Sequence, residues 1–151
     1  MDLRTLLPQL LPHAIAWAEF QSNHVASLGI ALPESMIAVA RHVGVQRPER
    51  IRVKLVDQIP LPEEPTLRQA AIEAGLLGPN ILGLTLGYSI FIVHGHDDVR
   101  LISHECRHVY QYEVLGSIEK FLPVYLQQIV EYGYDNAPLE VDARNNELHM
   151  A

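Results

Sequence analysis

Apolar residues recur at three- to four-residue spacing from Pro12 to about Gly29. Ile15, Ala18, Val25 and Leu28 mark one face, and Trp17 and Phe20 widen it. That period predicts a helix, with Gly29 as its stop. The apolar run before it is broken by Pro8 and Pro12. Pro33-Glu34-Ser35 opens a second helix to about Val43, which Gly44 ends. Arg47-Pro48-Glu49 reads as a turn, and Ile51 to Val56 alternates apolar and polar residues like a half-buried strand. After a proline-rich loop from Pro60 to Pro65, Thr66 is expected to cap a short helix, Leu67 to Ala74, closed by Gly75.

The second half of the chain alternates more sharply. Gly78-Pro79-Asn80 reads as a turn. Leu84 to Val93 is rich in β-formers, with Gly83 and Gly87 as punctuation, and a strand is expected at Tyr88 to Val93. His94-Gly95-His96 is a turn. Asp97 or Asp98 then caps a long helix to about Val114, Ser117 starts another from Ile118 to about Tyr132, and Gly133 closes it. A last helix begins near Pro138 and carries Glu140, Asp142 and Arg144. These elements imply an α+β fold, a short sheet with helices packed on one side. One domain over residues 1–151 is expected, with a helical N-terminal region at 1–49 and the core at 50–151.

Composition narrows the function classes. Hydrophobic residues make up 48% of the 151 positions and charged residues 19%, which suits a chain able to build a core. The net charge of −7 and the lack of a basic cluster argue against nucleic acid as a partner, since phosphate binding needs Lys and Arg. A single cysteine, Cys106, excludes an internal disulfide and favours a reducing compartment. The N-terminus lacks a basic n-region, so no signal peptide is read there. Apolar runs are far shorter than the roughly 20 residues that span a bilayer. A cytoplasmic protein without a membrane partner is expected.

The chemistry concentrates in His104-Glu105-Cys106-Arg107-His108. Residues four apart on a helix share a face, one turn above the other, so both imidazoles can reach one metal ion. Zinc takes such nitrogen and oxygen ligands at about 2.0–2.2 Å. Glu105 sits beside the first imidazole, where it can take a proton from a water molecule that the metal acidifies. The flanks Leu101, Ile102, Val109 and Tyr110 are apolar, so the helix is largely buried. Unpaired polar groups there cost several kcal/mol, and a shared metal removes that cost.

A catalytic zinc needs a third protein ligand and one open position. Where a metzincin carries its glycine and third histidine, this chain has Gln111 and Val114. Glu140 is the candidate. Glu113 lies about 140° around the helix from His108 and points away. Glu119 and Glu131 sit on a helix whose apolar positions Phe121, Leu122, Leu126 and Ile129 face the core, which leaves both for solvent. Asp142 is about 200° around the last helix from Glu140 and is the shorter side chain, suited to hydrogen-bonding a ligand from behind.

The stretch from Leu84 to Arg144 resembles the minimal gluzincin-type zinc metallopeptidases, domains with a strand, a His-Glu-x-x-His helix and a later glutamate-bearing helix. The pieces that carry the resemblance are Thr85 to Ile92, Leu101 to Gln111, and Leu139-Glu140-Val141-Asp142-Ala143. It implies a zincin-like fold, Zn2+ as cofactor, His104, His108 and Glu140 as metal ligands and Glu105 as catalytic base. It also implies that the strand beside the helix, around Tyr88 to Val93, is an edge strand holding an extended peptide substrate. Many relatives have Glu where this chain has Asp142. The N-terminal region to Glu49 lies outside the resemblance.

Other residues have simpler readings. Cys106 lies about 200° from His104 and should face the core. His94 and His96 read as exposed loop histidines, Arg107 and Arg144 as ion-pair partners, and Tyr110, Tyr112, Tyr132 and Tyr134 as packing residues, any of which could stabilise an oxyanion. Two functions remain open: a zinc metallopeptidase acting on peptide or protein substrates, and a non-catalytic zinc-stabilised module that binds peptides or proteins. Retention of Glu105 favours the first, because a structural zinc needs no base.

Overall fold

The alternation of Ser89–Val93 decides how the molecule is layered. In the structure, a computed structural model that describes residues 2–149, Ile90 and Ile92 point to one side of the sheet and Phe91 to the other, and all three are buried. The outermost residues of the expected domain, 1 and 150–151, lie outside that span. Ile90 and Ile92 pack with Ala40, Val43, Ile102, Cys106 and Val109. Phe91 packs with Ala18, Val25, Tyr112, Phe121 and Leu122. Helices therefore cover both faces of the sheet, not the single face expected, because this strand is apolar on both sides.

Six α-helices and four strands make an α+β fold among the described residues. In chain order they are α1 (Leu3–Leu28), β1 (Ile30–Ala31), α2 (Glu34–His42), β2 (Arg52–Val56), α3 (Pro65–Glu73), β3 (Gly83–Leu86), β4 (Ser89–Val93), α4 (Val99–Leu115), α5 (Ile118–Tyr132) and α6 (Pro138–Asn145). A short 3-10 turn, Pro48–Arg50, leads into β2. The sheet order is β1-β2-β4-β3, with β2 and β4 parallel and the other pairs antiparallel.

Several boundaries differ from the sequence expectation. Helix α1 starts at Leu3 and runs through Pro8 and Pro12. Asp2 caps it by accepting from the amides of Arg4 and Thr5, and Leu11, Ile15 and Ala18 carry its apolar stripe onto α5. Tertiary packing thus outweighs two missing amide donors. Glu64, not Thr66, caps α3, and Pro65 takes the first helical position. The N-terminal 49 residues are not wholly helical, since β1 pairs with β2.

The largest correction concerns the strand. The segment expected as one edge strand, Tyr88 to Val93, is the inner strand β4, paired to β2 on one side and β3 on the other. The apolar run folds into a hairpin because Gly87 takes a φ of 70°, which the first position of a tight two-residue turn requires. The edge strands are β1 and β3, and β3 is the one beside β4. Val93 N–H donates to the Leu82 carbonyl, so by antiparallel alternation Gly83 and Thr85 turn their backbone groups away from β4, toward α4.

No helix among the described residues is long and apolar enough to cross a membrane.

Candidate metal centre and reactive carboxylate

Helix α4 carries chemistry on one face and core on another. Asp98 caps it, accepting from the Leu101 amide at 2.9 Å. Ile102, Cys106 and Val109 enter the core against Ile90 and Ile92. This fixes the rotation of the helix, so Glu105, His108, Gln111 and Tyr112 must also be buried, with His104 nearly so. Cys106 is in the core as expected, and burial pushes its thiol up to about 12, so it stays protonated.

Helix α6 brings Glu140 to the two histidines. His104 Nε2 lies 3.2 Å from Glu140 Oε1, and His108 Nε2 lies 3.0 Å from Glu140 Oε2. Ligating atoms of all three residues fall within 4.8 Å of one another. Burial acts to lower the His108 pKa, but the hydrogen bond and charge of Glu140 outweigh it and hold it up at about 9. The same contest raises His104. Burial would raise Glu140, yet hydrogen bonds from His104, His108 and Tyr125 hold it well below the usual carboxylate range.

The far ring nitrogens are also held. His104 Nδ1 lies 2.8 Å from Glu147 Oε2, and His108 Nδ1 lies 2.8 Å from Gln111 Oε1. Gln111 must present its oxygen there, because its Nε2 donates to the Leu139 carbonyl and to Asp142 Oδ2, each at 2.9 Å. Both acceptors require a proton on Nδ1. In the neutral rings the lone pairs therefore sit on Nε2, the two atoms that converge.

That donor set could hold a metal ion such as zinc. Tetrahedral bonds of about 2.0–2.2 Å place neighbouring ligand atoms roughly 3.3–3.6 Å apart. The 3.0 and 3.2 Å contacts, each to a different Glu140 oxygen, would open by a few tenths of an ångström, and the three ligand atoms lie within 4.8 Å of one another. Carboxylate- or amide-backed histidines are also the arrangement that zinc sites use to orient imidazoles.

Glu105 stands beside this cluster and is held differently. The Thr85 hydroxyl donates to Glu105 Oε1 at 2.8 Å. A Cβ on Gly83 would lie 2.9 Å from Oε2, so only glycine leaves the carboxylate its room. Glu105, His108 and Glu140 line one cavity of about 150 Å³, together with Thr85, Tyr125 and Tyr134. Tyr125 donates to Glu140 Oε2 at 2.7 Å. Burial first and the Glu140 charge second push the Tyr134 hydroxyl above its ordinary value, so it remains a donor.

The sequence-derived site residues His104, Glu105, His108 and Glu140 thus meet. Asp142 does not touch a histidine. It accepts from Arg107 at 2.8 Å and from Gln111, and acts on His108 only through that glutamine. Glu113 faces away, accepting from the amides of Gln46 and Arg47 and from the Tyr88 hydroxyl. His94 and His96 are exposed, with His94 3.7 Å from Asp57. Sequence reasoning missed Thr85, Gly83, Glu147 and the role of Gln111. Only Gln111 carried a signal, since three residues past His108 it shares the histidine's helix face.

Comparison with protein-family models, with curated proteins and with solved structures finds no match.

Proposed function

We propose that the protein is a zinc-dependent hydrolase of peptide bonds, zincin-like in its design, with His104, His108 and Glu140 as metal ligands and Glu105 as general base. The observation that carries the reading is the convergence of two Nε2 atoms and a buried carboxylate within 4.8 Å, beside a second carboxylate that is not a member of the cluster. Zinc, when bound, polarises the scissile carbonyl and acidifies the attacking water.

The chain's own residues do the rest. Glu147 and Gln111 fix the imidazole tautomers, so Nε2 of each ring is free to ligate. Glu105 takes the proton of the attacking water and returns it to the leaving amine. Thr85 holds one oxygen of Glu105, and the side-chain-free surface of Gly83 leaves space at the other. Tyr134 is a neutral donor in the same cavity and is suited to a developing oxyanion. The substrate strand belongs beside β3 and not beside the inner β4. It meets β3 at Gly83, whose backbone groups turn away from β4 near Glu105, since the Thr85 carbonyl already accepts from the Tyr112 hydroxyl.

The test joins two measurements on one preparation. Zinc content by elemental analysis should be about one per chain, and a broad peptide library should be cleaved by the wild type and not by Glu105→Gln. Zinc without any cleavage would favour the non-catalytic peptide-binding module instead.

A further inference from the structure

The cavity that holds Glu105, His108 and Glu140 is polar at one end only. Elsewhere its walls are apolar: Leu7, Leu10 and Trp17 from α1, Leu67 from α3, and Leu126 and Ile129 from α5. Among the described residues no lysine, arginine or aspartate lines it, and its acidic groups are Glu105 and Glu140, beside the single histidine His108. A charged ligand group at the apolar end would lose its hydration without gaining a partner there. An acidic group would also face two carboxylates.

Its size sets what fits. A dry cavity of about 150 Å³ lined by aliphatic and aromatic side chains takes a benzene-sized guest, and the volume here is about 150 Å³. One phenylalanine or leucine side chain matches it. The backbone of such a residue has a place at the cavity's rim, where Gly83 and Leu84 of the β3 edge line the same space as Glu105. We propose that this cavity is the specificity pocket for a single large apolar side chain, of phenylalanine or leucine size, on a peptide whose backbone lies along β3. The inference rests on reading the neighbouring cluster as a peptide-hydrolysing centre. It assigns to α1 and α3, helices outside the metal-bearing region, the role of selecting the substrate.

Trp17 is the chain's one tryptophan and lines the pocket, so it reports occupancy without turnover. The zinc-loaded full chain carrying Glu105→Gln is titrated with N-acetyl-Gly-Phe-Gly-amide and its Leu, Gly, Asp and Lys counterparts, following Trp17 fluorescence. The Phe and Leu peptides should bind about tenfold to a hundredfold more tightly than the other three. Ala14→Phe and Ala71→Phe fill the pocket from two different helices. At least one that keeps its zinc and native circular dichroism should lose tenfold or more in affinity for the Phe peptide. Equal binding of the Asp or Gly peptide, or unchanged affinity in both filled variants, would overturn the assignment. The two readings also separate. If the wild type cuts nothing while Trp17 still selects the Phe peptide, the hydrolase reading fails and the pocket stands. If the wild type cuts peptides whatever residue flanks the bond, the pocket fails and the hydrolase reading stands.

Discussion

Glu140 Oε2 lies 3.0 Å from His108 Nε2, joining α6 to α4 inside a buried polar cluster. Removing either partner leaves the other buried without its charge complement. His108→Ala and Glu140→Ala should each abolish stoichiometric zinc binding, as measured by elemental analysis after zinc-replete purification. Asp142→Ala should retain zinc, because its carboxylate reaches His108 only through Gln111. Zinc retained in Glu140→Ala and lost in Asp142→Ala would reverse the ligand assignment.

How much of this was legible in the sequence follows from how local each determinant is. The α4, α5 and α6 starts are set by Asp98, Ser117 and Pro138 at the helix mouths, and the sequence pointed to Ser117, to Pro138 and to either Asp97 or Asp98. So was Glu140, because the helix period placed it and Asp142 on different faces. The hairpin was not readable as such. Leu84 to Val93 is a nearly continuous run of β-formers, and the only sign of a turn is Gly87 at φ 70°. One strand at an edge and two strands with the second inside share that composition. Glu147 was invisible because it lies past α6, and only the fold brings it to His104. Thr85 depends on strand register, which is a long-range property.

Metal should couple to stability, since its ligands come from two helices far apart in sequence. Ligand at about a hundredfold excess over its dissociation constant stabilises a fold by about 2.7 kcal/mol. For a chain of this length that corresponds to a rise in Tm of roughly 5–10 °C. Stripping zinc with a chelator should lower Tm by that order, and re-addition should restore it. An unchanged Tm on chelation, with the metal demonstrably removed, would refute the coupling.

Glu147 tests the orientation of His104. Its Oε2 accepts from His104 Nδ1 at 2.8 Å, and Oε1 lies 3.3 Å from Arg100 Nη1. The segment is pinned by the Leu148 amide, which donates to Ser103 Oγ at 2.8 Å. Glu147→Ala should weaken zinc affinity by about 10–100-fold through loss of that backing hydrogen bond. Glu147→Gln keeps an oxygen acceptor and should recover part of the loss. Competition with a fluorescent zinc chelator reads both. Identical affinities for wild type and Glu147→Ala would show that the histidine needs no such support.

Gly83 and Thr85 test the placement of Glu105 separately from the metal. A methyl on Gly83 would lie 2.9 Å from Glu105 Oε2 and 3.0 Å from its Cδ, so the carboxylate must shift. Thr85→Val keeps the shape but withdraws the hydroxyl that donates to Oε1 at 2.8 Å. Neither residue is in the histidine–Glu140 cluster. Both variants should therefore keep full zinc content while kcat falls. A base displaced by about 1 Å costs on the order of a hundredfold, so Gly83→Ala should approach that loss. Glu105→Gln removes the base altogether and should cost about 10²–10⁴. Thr85→Val should cost less than Gly83→Ala, because it frees the carboxylate without pushing it. The loss should fall on kcat more than on KM, since the misplaced group acts in the chemical step. If Gly83→Ala kept wild-type kcat with zinc intact, the position of Glu105 beside the cluster would not be what sets the rate.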